Sequence, residues 1–598
     1  MNSIFLRFVF LTGMLCMLLI SASTAQTNRY SSSDMYSMGG FSSSIVMDGE
    51  TVLVGEGGNT MTSGFVYIFS KDNMGAWSES GRLIADDAIE GDGFGTAMAL
   101  NGNTLVVSAP DQNDGGGALY VFKRNSGGAW VQSSRLTTAE SSSGDRMGAT
   151  LAISDNSLVV GAADKFGKAG AAFVFTRDDS GAWSEGEMIV AADSASGDVF
   201  GSSVAIMGDY VFVGAPGKGK REGVVYVYSK QNGEWVELDQ LSAFGLDRNN
   251  RFGSVLQTMD DMLLVSAPRI LRSTGAVFLY RMDENSRWKQ SGSLAPFDGT
   301  PNMRFGLSIA VSEKHVWIGA PRASRGAGAV YSFHADEDGN WTGSSKIFSE
   351  FAGSGSNYSA SIAVSSTIAV AGLPGRGGSA TIFENQDGSW VETAKLEGDI
   401  EAYDSITGGQ TQCEDGKASR FSCDAVDMVA FLSTKDIGAP RGIQVNDVWG
   451  WTDPVTGKEY ALVGRQDAMA FVDVTDAQNP VYIGELFRTE GTNPSSWRDV
   501  KVYKDHAYIV ADGAPEHGVQ IFDLTRLRNP QNTPIVFTED GHYDGVGSAH
   551  NIVINESTGF AYVVGVSGSG NTCGGGLHML NLEKPLEPVF AGCFSDSN

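Results

Sequence analysis

Residues 200–216 read FGSSVAIMGDYVFVGAP. An aromatic-glycine pair opens the stretch, a short apolar run follows, a tight turn interrupts it, and a second apolar run ends on Gly214-Ala215-Pro216. The phrase returns as FGTAMALNGNTLVVSAP from Phe94 and as FGLSIAVSEKHVWIGAP from Phe305. Its anchors are Phe41, Phe94, Met147, Phe200, Phe252, Phe305 and Tyr358, at spacings of 53, 53, 53, 52, 53 and 53 residues. A tryptophan keeps the same step at Trp77, Trp130, Trp183, Trp235, Trp288, Trp341 and Trp390. Two landmarks in one register make residues 41–397 seven copies of one unit, and a fixed period of this size signals a repeat architecture.

Each unit holds four strand candidates. In the fourth they are Ser202–Met207, Tyr210–Gly214, Gly223–Tyr228 and Glu234–Leu241. Apolar, β-branched and aromatic residues at period two or in short runs fit strands rather than helices. The first turn is about two residues long, at Asp48-Gly49, Asn101-Gly102 and Asp155-Asn156, which suits a hairpin with positive φ. Four antiparallel strands at this period match a propeller blade. A single sheet cannot bury both faces, but radial stacking covers each face with the next blade and leaves few edges. The fold expected is all-β: a seven-bladed β-propeller over 41–397. The Phe-Gly pair is expected where blades converge, glycine permitting close backbone approach. The tryptophan is expected to pack over the outer strand rather than to stack on a ligand.

This pattern resembles the FG-GAP repeats of integrin α-subunit propellers, in the variant common in exported microbial proteins. The resemblance implies binding and adhesion. Calcium is not carried over, because the loop that holds it in such repeats is here a two-residue hairpin, too short to supply six to eight oxygens.

The first 25 residues read as a secretory signal: Arg7, an apolar run from Phe8 to Ile20, then Ser23-Thr24-Ala25 before Gln26. A linker, 26–40, follows. No later apolar run is long enough to span a bilayer. Loss of the signal takes Arg7 and Cys16, so the net charge of −28 becomes −29 and four cysteines remain. Cys413, Cys423, Cys573 and Cys593 allow three pairings in an exported chain, and proximity favours Cys413–Cys423 with Cys573–Cys593. The acidity argues against nucleic acid as a partner. Asn340, Asn357 and Asn555 are glycosylation acceptors only in a eukaryotic secretory route.

Residues 398–440 break the period and carry the paired cysteines Cys413 and Cys423, so they read as a Cys-containing linker. A second repeat starts near 441, with DVWGWTDPVTGKEYALVG from Asp447, DVKVYKDHAYIVADG from Asp499 and HNIVINESTGFAYVVG from His550. About three blades of a second, partial β-propeller are expected over 441–598. Three units cannot close a ring, so the sequence is expected to be a piece of a longer chain. Over about 410–598 the sequence is similar to the "choice-of-anchor B" family of exported proteins with LVIVD-type repeats. The motifs are the 413–423 segment, Trp497-Arg498-Asp499, His517-Gly518-Val519-Gln520, Ala549-His550-Asn551 and Cys573-Gly574-Gly575-Gly576-Leu577-His578.

Several motifs are decoys. Gly214-Ala-Pro-Gly-Lys-Gly219-Lys220 fits a phosphate-loop spacing, but Arg221 stands where Ser or Thr is required and a strand follows instead of a helix. Turns such as Asp178–Trp183 are faintly like a sialidase Asp-box, itself structural. No H-E-x-x-H and no G-x-S-x-G at a strand–helix turn is present.

Loops between second and third strands emerge on one propeller face, and the later ones are basic. They carry Lys165 and Lys168, then Lys218, Lys220 and Arg221, Arg269 and Arg272, Arg322 and Arg325, and Arg376. The loops joining early units are acidic, with Asp86, Asp87, Glu90, Asp92, Asp193 and Asp198, whereas later ones carry Arg248, Arg251 and Arg304. Lys218, Lys220, Arg221, Arg269, Arg272, Arg322, Arg325 and Arg376 are therefore the candidate ligand-binding residues, toward an extracellular protein or an acidic glycan. The function expected is a secreted or cell-surface binding and adhesion protein without covalent chemistry or cofactor. The competing expectation is an exported polysaccharide hydrolase or lyase with its site around His517, His550 and His578, which are also weak metal candidates.

Overall fold

The computed structural model describes residues 25–26, 40–58, 63–184, 186–243, 248–312, 315–337, 339–350, 352, 357–374, 377–399, 402–570 and 572–594. The expected signal peptide and linker lie almost wholly outside these residues, as does Arg376. The described chain is all-β, and none of its helices is long and apolar enough to cross a membrane. It divides into two compact units, with Ser63–Pro374 and Ser379–Leu396 in the first and Glu397–Asn598 in the second.

The first unit is built of repeated four-stranded sheets in β-propeller architecture. In the fourth, Ser203–Met207, Tyr210–Ala215, Val224–Gln231 and Glu234–Leu241 pair antiparallel in chain order. Seven sheets of this order occur among the described residues, the second joined along its inner edge by the two-residue strand Ala25–Gln26. The burial pattern explains the composition. The inner three strands are covered on both faces and are near-continuously apolar, as in Tyr210–Ala215. The outer strand Glu234–Leu241 meets water on one face and alternates. A bulge recurs where third and fourth strands pair, at Ile68/Phe69, Val121/Phe122, Val227/Tyr228, Leu279/Tyr280 and Ser332/Phe333. Each bulge adds local twist. The first turns have two central residues, but these are Gly49-Glu50 and Gly102-Asn103, one position later than expected for those pairs. Glycine takes the first place at φ +60° and +53°.

The core lies between sheets. One cluster joins Ala205, Phe212, Val225 and Val227 of the fourth sheet to Phe252, Leu263, Val265 and Phe278 of the fifth. Another joins Phe41, Val52 and Tyr67 of the first sheet to Ile368, Val370 and Ile382 of the seventh. There, Ser42 donates to the Ser379 carbonyl (2.8 Å) and Trp77 Nε1 to Glu384 (3.2 Å). The tryptophans belong to these seams. Trp288 packs edge-on against Phe212 (5.0 Å) and Tyr210 (5.7 Å) of the preceding sheet, and Trp390 against Trp317 (4.7 Å).

The anchor aromatic sits edge-to-face on two rings of its own sheet; Phe200 lies 5.3 Å from Tyr226 and 6.2 Å from Tyr228. Its backbone presses against the preceding sheet. The glycine before the third strand of the second to fifth sheets, Gly117, Gly170, Gly223 and Gly275, has φ of +90° to +94°. A Cβ there would stand 2.0–2.1 Å from the carbonyl oxygen of the next anchor, Met147, Phe200, Phe252 or Phe305. Only glycine satisfies both conditions.

In the second unit the inner strands Val445–Thr452, Arg498–Tyr503 and Asn551–Asn555 each lead a four-stranded antiparallel sheet and lie beside one another in that order. The first sheet gains a parallel strand, Ile535–Phe537, beside Val481–Phe487. Residues 402–440, expected as a linker, are folded into this unit. Ile406 pairs with Phe431 and Thr411 with Met428, and Ile437 packs on Ala470 and Val472 of the first sheet. The disulfides are Cys413–Cys423 and Cys573–Cys593.

Replacing Gly223 with Ala is expected to destabilise the first unit by roughly 2–4 kcal/mol, because strain and overlap with the Phe252 carbonyl add. Gly208→Ala, in open space at φ +54°, is expected to cost about 1 kcal/mol. Denaturant midpoints of the two variants check the difference.

Candidate functional site

The candidate basic residues lie on the segment between second and third strands. In the fourth sheet, Pro216 ends the second strand and Lys218–Arg221 then forms a single turn, of the wrong hand. Gly219, Lys220 and Arg221 have φ of +62°, +62° and +69°, and the Arg221 N–H closes on the Gly217 carbonyl (3.0 Å). This is one turn of left-handed helix. It recurs at Asn113-Asp114-Gly115, Phe166-Gly167-Lys168, Leu271-Arg272-Ser273 and Ser324-Arg325-Gly326, all at positive φ. Gly, Asn and Asp tolerate this region, but Phe166, Leu271 and the arginines do so at about 1–2 kcal/mol each.

Hydrogen bonds to the next sheet hold the turn. The Arg221 and Glu222 carbonyls accept from the N–H groups of Arg251 and Phe252 (2.9 Å each). Likewise the Ser273 and Thr274 carbonyls accept from Arg304 (2.8 Å) and Phe305 (2.9 Å). Peptide groups are thereby satisfied. Lys220, Arg221, Arg272, Arg322 and Arg325 are exposed, Arg269 is half-buried, and Phe166 and Leu271 are 57% and 67% exposed. The phosphate-loop look-alike is thus a left-handed turn followed by the strand Val224–Gln231.

Lys218 differs from its neighbours. Its ammonium meets Asp198 at 3.0 Å and Asp193 at 3.3 Å, and together they outweigh burial and hold its pKa above the ordinary value. Lys165 is buried at the matching position and pairs with Asp145 at 2.6 Å. Other acids of the joining loops are structural too. Asp87, Asp193 and Asp298 accept from Tyr120, Tyr226 and Tyr331 at 2.7 Å each. Buried Asp92 accepts from the anchor Phe94 N–H at 2.9 Å.

The structure does not gather the second unit's histidines into one centre. His517 is fully buried; its Nδ1 lies 3.0 Å from Thr489 Oγ1, and burial beside Arg498 pushes its pKa down to about 3. His578 is buried with Nε2 2.8 Å from the Tyr543 hydroxyl, beside the disulfide sulfur of Cys573. His550 is exposed and meets Asp512 at 2.8 Å. Among the described residues no three His, Cys, Asp or Glu side chains are grouped to hold a metal.

Sequence reasoning missed two buried arginines here. Arg465 is wholly buried, with bonds to Asp467 (2.9 and 3.0 Å), Glu485 (2.6 Å) and the Ile437 carbonyl (2.8 Å). Arg498 is buried and its three guanidinium nitrogens have no hydrogen-bond partner among the described residues. For Arg498 the signal was its place in the Trp497-Arg498-Asp499 motif, ahead of an inner-strand Asp; Arg465, at the end of a second strand, carried none.

The family profile "FG-GAP repeat" matches residues 77–122, 130–175, 183–228 and 288–333. Four FG-GAP repeats are present. Each match runs from one outer-strand tryptophan into the third strand of the next sheet, so it spans a seam. Among curated proteins, integrin alpha-11 of Homo sapiens and of Mus musculus are each 30% identical over 141 residues, 21% of this chain. The chain matches only 12% of the length of these relatives. Among solved structures are putative 6-phosphogluconolactonases of Bacteroides uniformis (TM-score 0.35, 13% identity, 51% of this chain and 85% of that one) and Bacteroides fragilis (0.37, 15%, 55% and 96%).

His517 predicts a pH dependence. Its folded pKa is depressed, so the unfolded chain binds the extra proton between about pH 6.5 and 3. Stability of the second unit should fall as pH falls through that window. His517→Gln should flatten the slope between pH 7 and 5, above the carboxylate range. Denaturant unfolding across pH checks it.

Proposed function

We propose that the protein is an extracellular or cell-surface adhesion module whose first unit is a closed seven-bladed propeller. It binds an acidic ligand, either a protein surface or a uronic-acid or sulfated glycan, without covalent chemistry. The observation that carries the reading is the set of latched left-handed turns. Their strained backbones present Lys220, Arg272 and Arg325 from equivalent places in the turns of successive sheets, with Arg221 beside Lys220 and Arg322, at ordinary negative φ, just ahead of its turn. Strain at bulky non-glycine residues points to function, because packing alone would select glycine there. The integrin similarity and the FG-GAP repeats support binding rather than catalysis. Two disulfides and a leader-like first segment support export. Lys218 leaves the ligand-binding set, since two aspartates neutralise it. The second unit we assign to the choice-of-anchor B type as part of a further propeller.

Reversing Arg272, Arg322 and Arg325 to Glu, with Arg269, should weaken binding to heparin-like or polyuronate arrays by at least tenfold and remove its salt dependence. Lys218→Glu should mainly destabilise the first unit. Affinities of the refolded variants at two ionic strengths check this, and unchanged binding after the arginine reversals would overturn the reading.

A further inference from the structure

The sulfurs of the Cys573–Cys593 disulfide meet unlike surroundings. Cys573 is buried, whereas Cys593, on the outer strand Val589–Phe594, is exposed. Cys593 stands opposite His578 in the ladder, so both side chains leave the sheet on one side. The fully buried His578 ring brings Nδ1 to 3.5 Å from Cys573 Sγ, and its Nε2 lies 2.8 Å from the Tyr543 hydroxyl. Phe590 packs against the same ring, 4.8 Å between centroids.

These contacts place the imidazole proton. A disulfide sulfur has no hydrogen to give, so Nδ1 meets it as an N–H donor. Nε2 is then the lone pair and accepts from Tyr543, whose hydroxyl burial keeps protonated. A disulfide sulfur is a weak acceptor and a thiolate a strong one. The N–H is thus aimed at a charge that exists only once the bond has broken. The backbone adds to this. Cys573, Gly574 and Gly575 have φ of +48°, +59° and +86°. Glycine takes that region freely, but Cys573 adopts it only under constraint.

We infer that Cys573–Cys593 is a thiol-exchange site, at which Cys593 takes up an external thiol and Cys573 is the leaving group. The attacking thiolate forms a bond to Cys593 Sγ, the Cys573–Cys593 bond breaks, and its electron pair stays on Cys573 Sγ beside the His578 N–H. The products are a mixed disulfide at Cys593 and a buried thiolate at Cys573. A second external thiolate then attacks the mixed disulfide, releases Cys593 as a thiolate and leaves the two external thiols joined, so both electrons come from them. The other disulfide is the contrast. Cys413 and Cys423 are both half-buried, and the Cys413 N–H donates to the Asp427 carboxylate (2.8 Å), a negative charge that opposes a thiolate there. The site is separate from the basic turns of the first unit and does not depend on that reading.

The full chain is treated under native conditions with reduced glutathione, or with reduced thioredoxin as a protein dithiol, then trapped with N-ethylmaleimide and mapped by mass spectrometry. Early glutathione samples should carry glutathione on Cys593 and maleimide on Cys573, with Cys413–Cys423 still closed. His578→Phe should slow opening of Cys573–Cys593 by about tenfold or more, the effect of one charge-assisted hydrogen bond to the leaving sulfur, and leave Cys413–Cys423 unchanged. His578→Asn, whose amide N–H can stand near the place of Nδ1, should recover most of the rate, which a ring needed merely for packing would not allow. Reaction with glutathione assigns a small thiol as the donor, and reaction with thioredoxin alone assigns a protein dithiol. Glutathione on Cys573, equal rates at the two disulfides, an unchanged rate in His578→Phe or no reaction with either thiol would overturn the proposal. The map of the wild-type protein decides even if the variants do not fold.

Discussion

A carbonyl oxygen pressed against a glycine Cα joins successive sheets of the first unit. The anchor residue enters the new sheet, buries its ring there and turns its carbonyl to the glycine that opens the previous sheet's third strand. Side chains alone could not set this separation, because apolar packing tolerates small slides. A backbone contact with no Cβ in the gap does not. The apolar clusters fill in behind it, each drawing on two neighbouring sheets, so that no sheet has a core of its own. Stability is thus a chain of pairwise seams, as expected of a repeat array, and the seam between the seventh and first sheets uses the same clusters and serine hydrogen bonds as the others.

The seam also shapes the surface. The carbonyls that receive the next sheet's N–H groups are those of the left-handed turn, so docking and turn conformation are one event. Leu271-Arg272-Ser273 has no local preference for left-handed helix, and its conformation is held by bonds reaching Asn302, Arg304 and Phe305. The sequence of the tip is consequently free to vary. Asn113, Phe166, Gly219, Leu271 and Ser324 share one conformation with five unlike side chains, which is what a binding surface on a constant scaffold requires.

How much of this was legible follows the range of the interactions. The sheets were readable because their period and two-residue turns are local, and the strands of the fourth unit fall within two residues of expectation at their inner ends. The close approach of the glycine paired with the anchor was readable, a Cβ on Gly201 falling 2.2 Å from the Ala171 carbonyl oxygen, but that of Gly223, which follows Glu222 and not an aromatic, was not. The hand of the turns was not, since it depends on hydrogen bonds about thirty residues away. Nor was the state of Lys218, whose partners Asp198 and Asp193 lie twenty or more residues back and look, in sequence, like an opposing acidic patch. The histidines misled for the converse reason. His517, His550 and His578 are close in blade position but serve different neighbours, Thr489, Asp512 and Tyr543.

Arg465 and Arg498 show how alike two buried arginines can be in sequence and how unlike in energetics. Both are on strands of the second unit and both are out of water. Arg465 is met by two carboxylates and a carbonyl, and the attraction at such short range offsets the loss of hydration. That network ties the 402–440 segment to the first sheet through Ile437, so its charge is used for assembly. Arg498 has the same cost and no such return from the protein. A fold that kept it without compensation would be better served by methionine or leucine at that position.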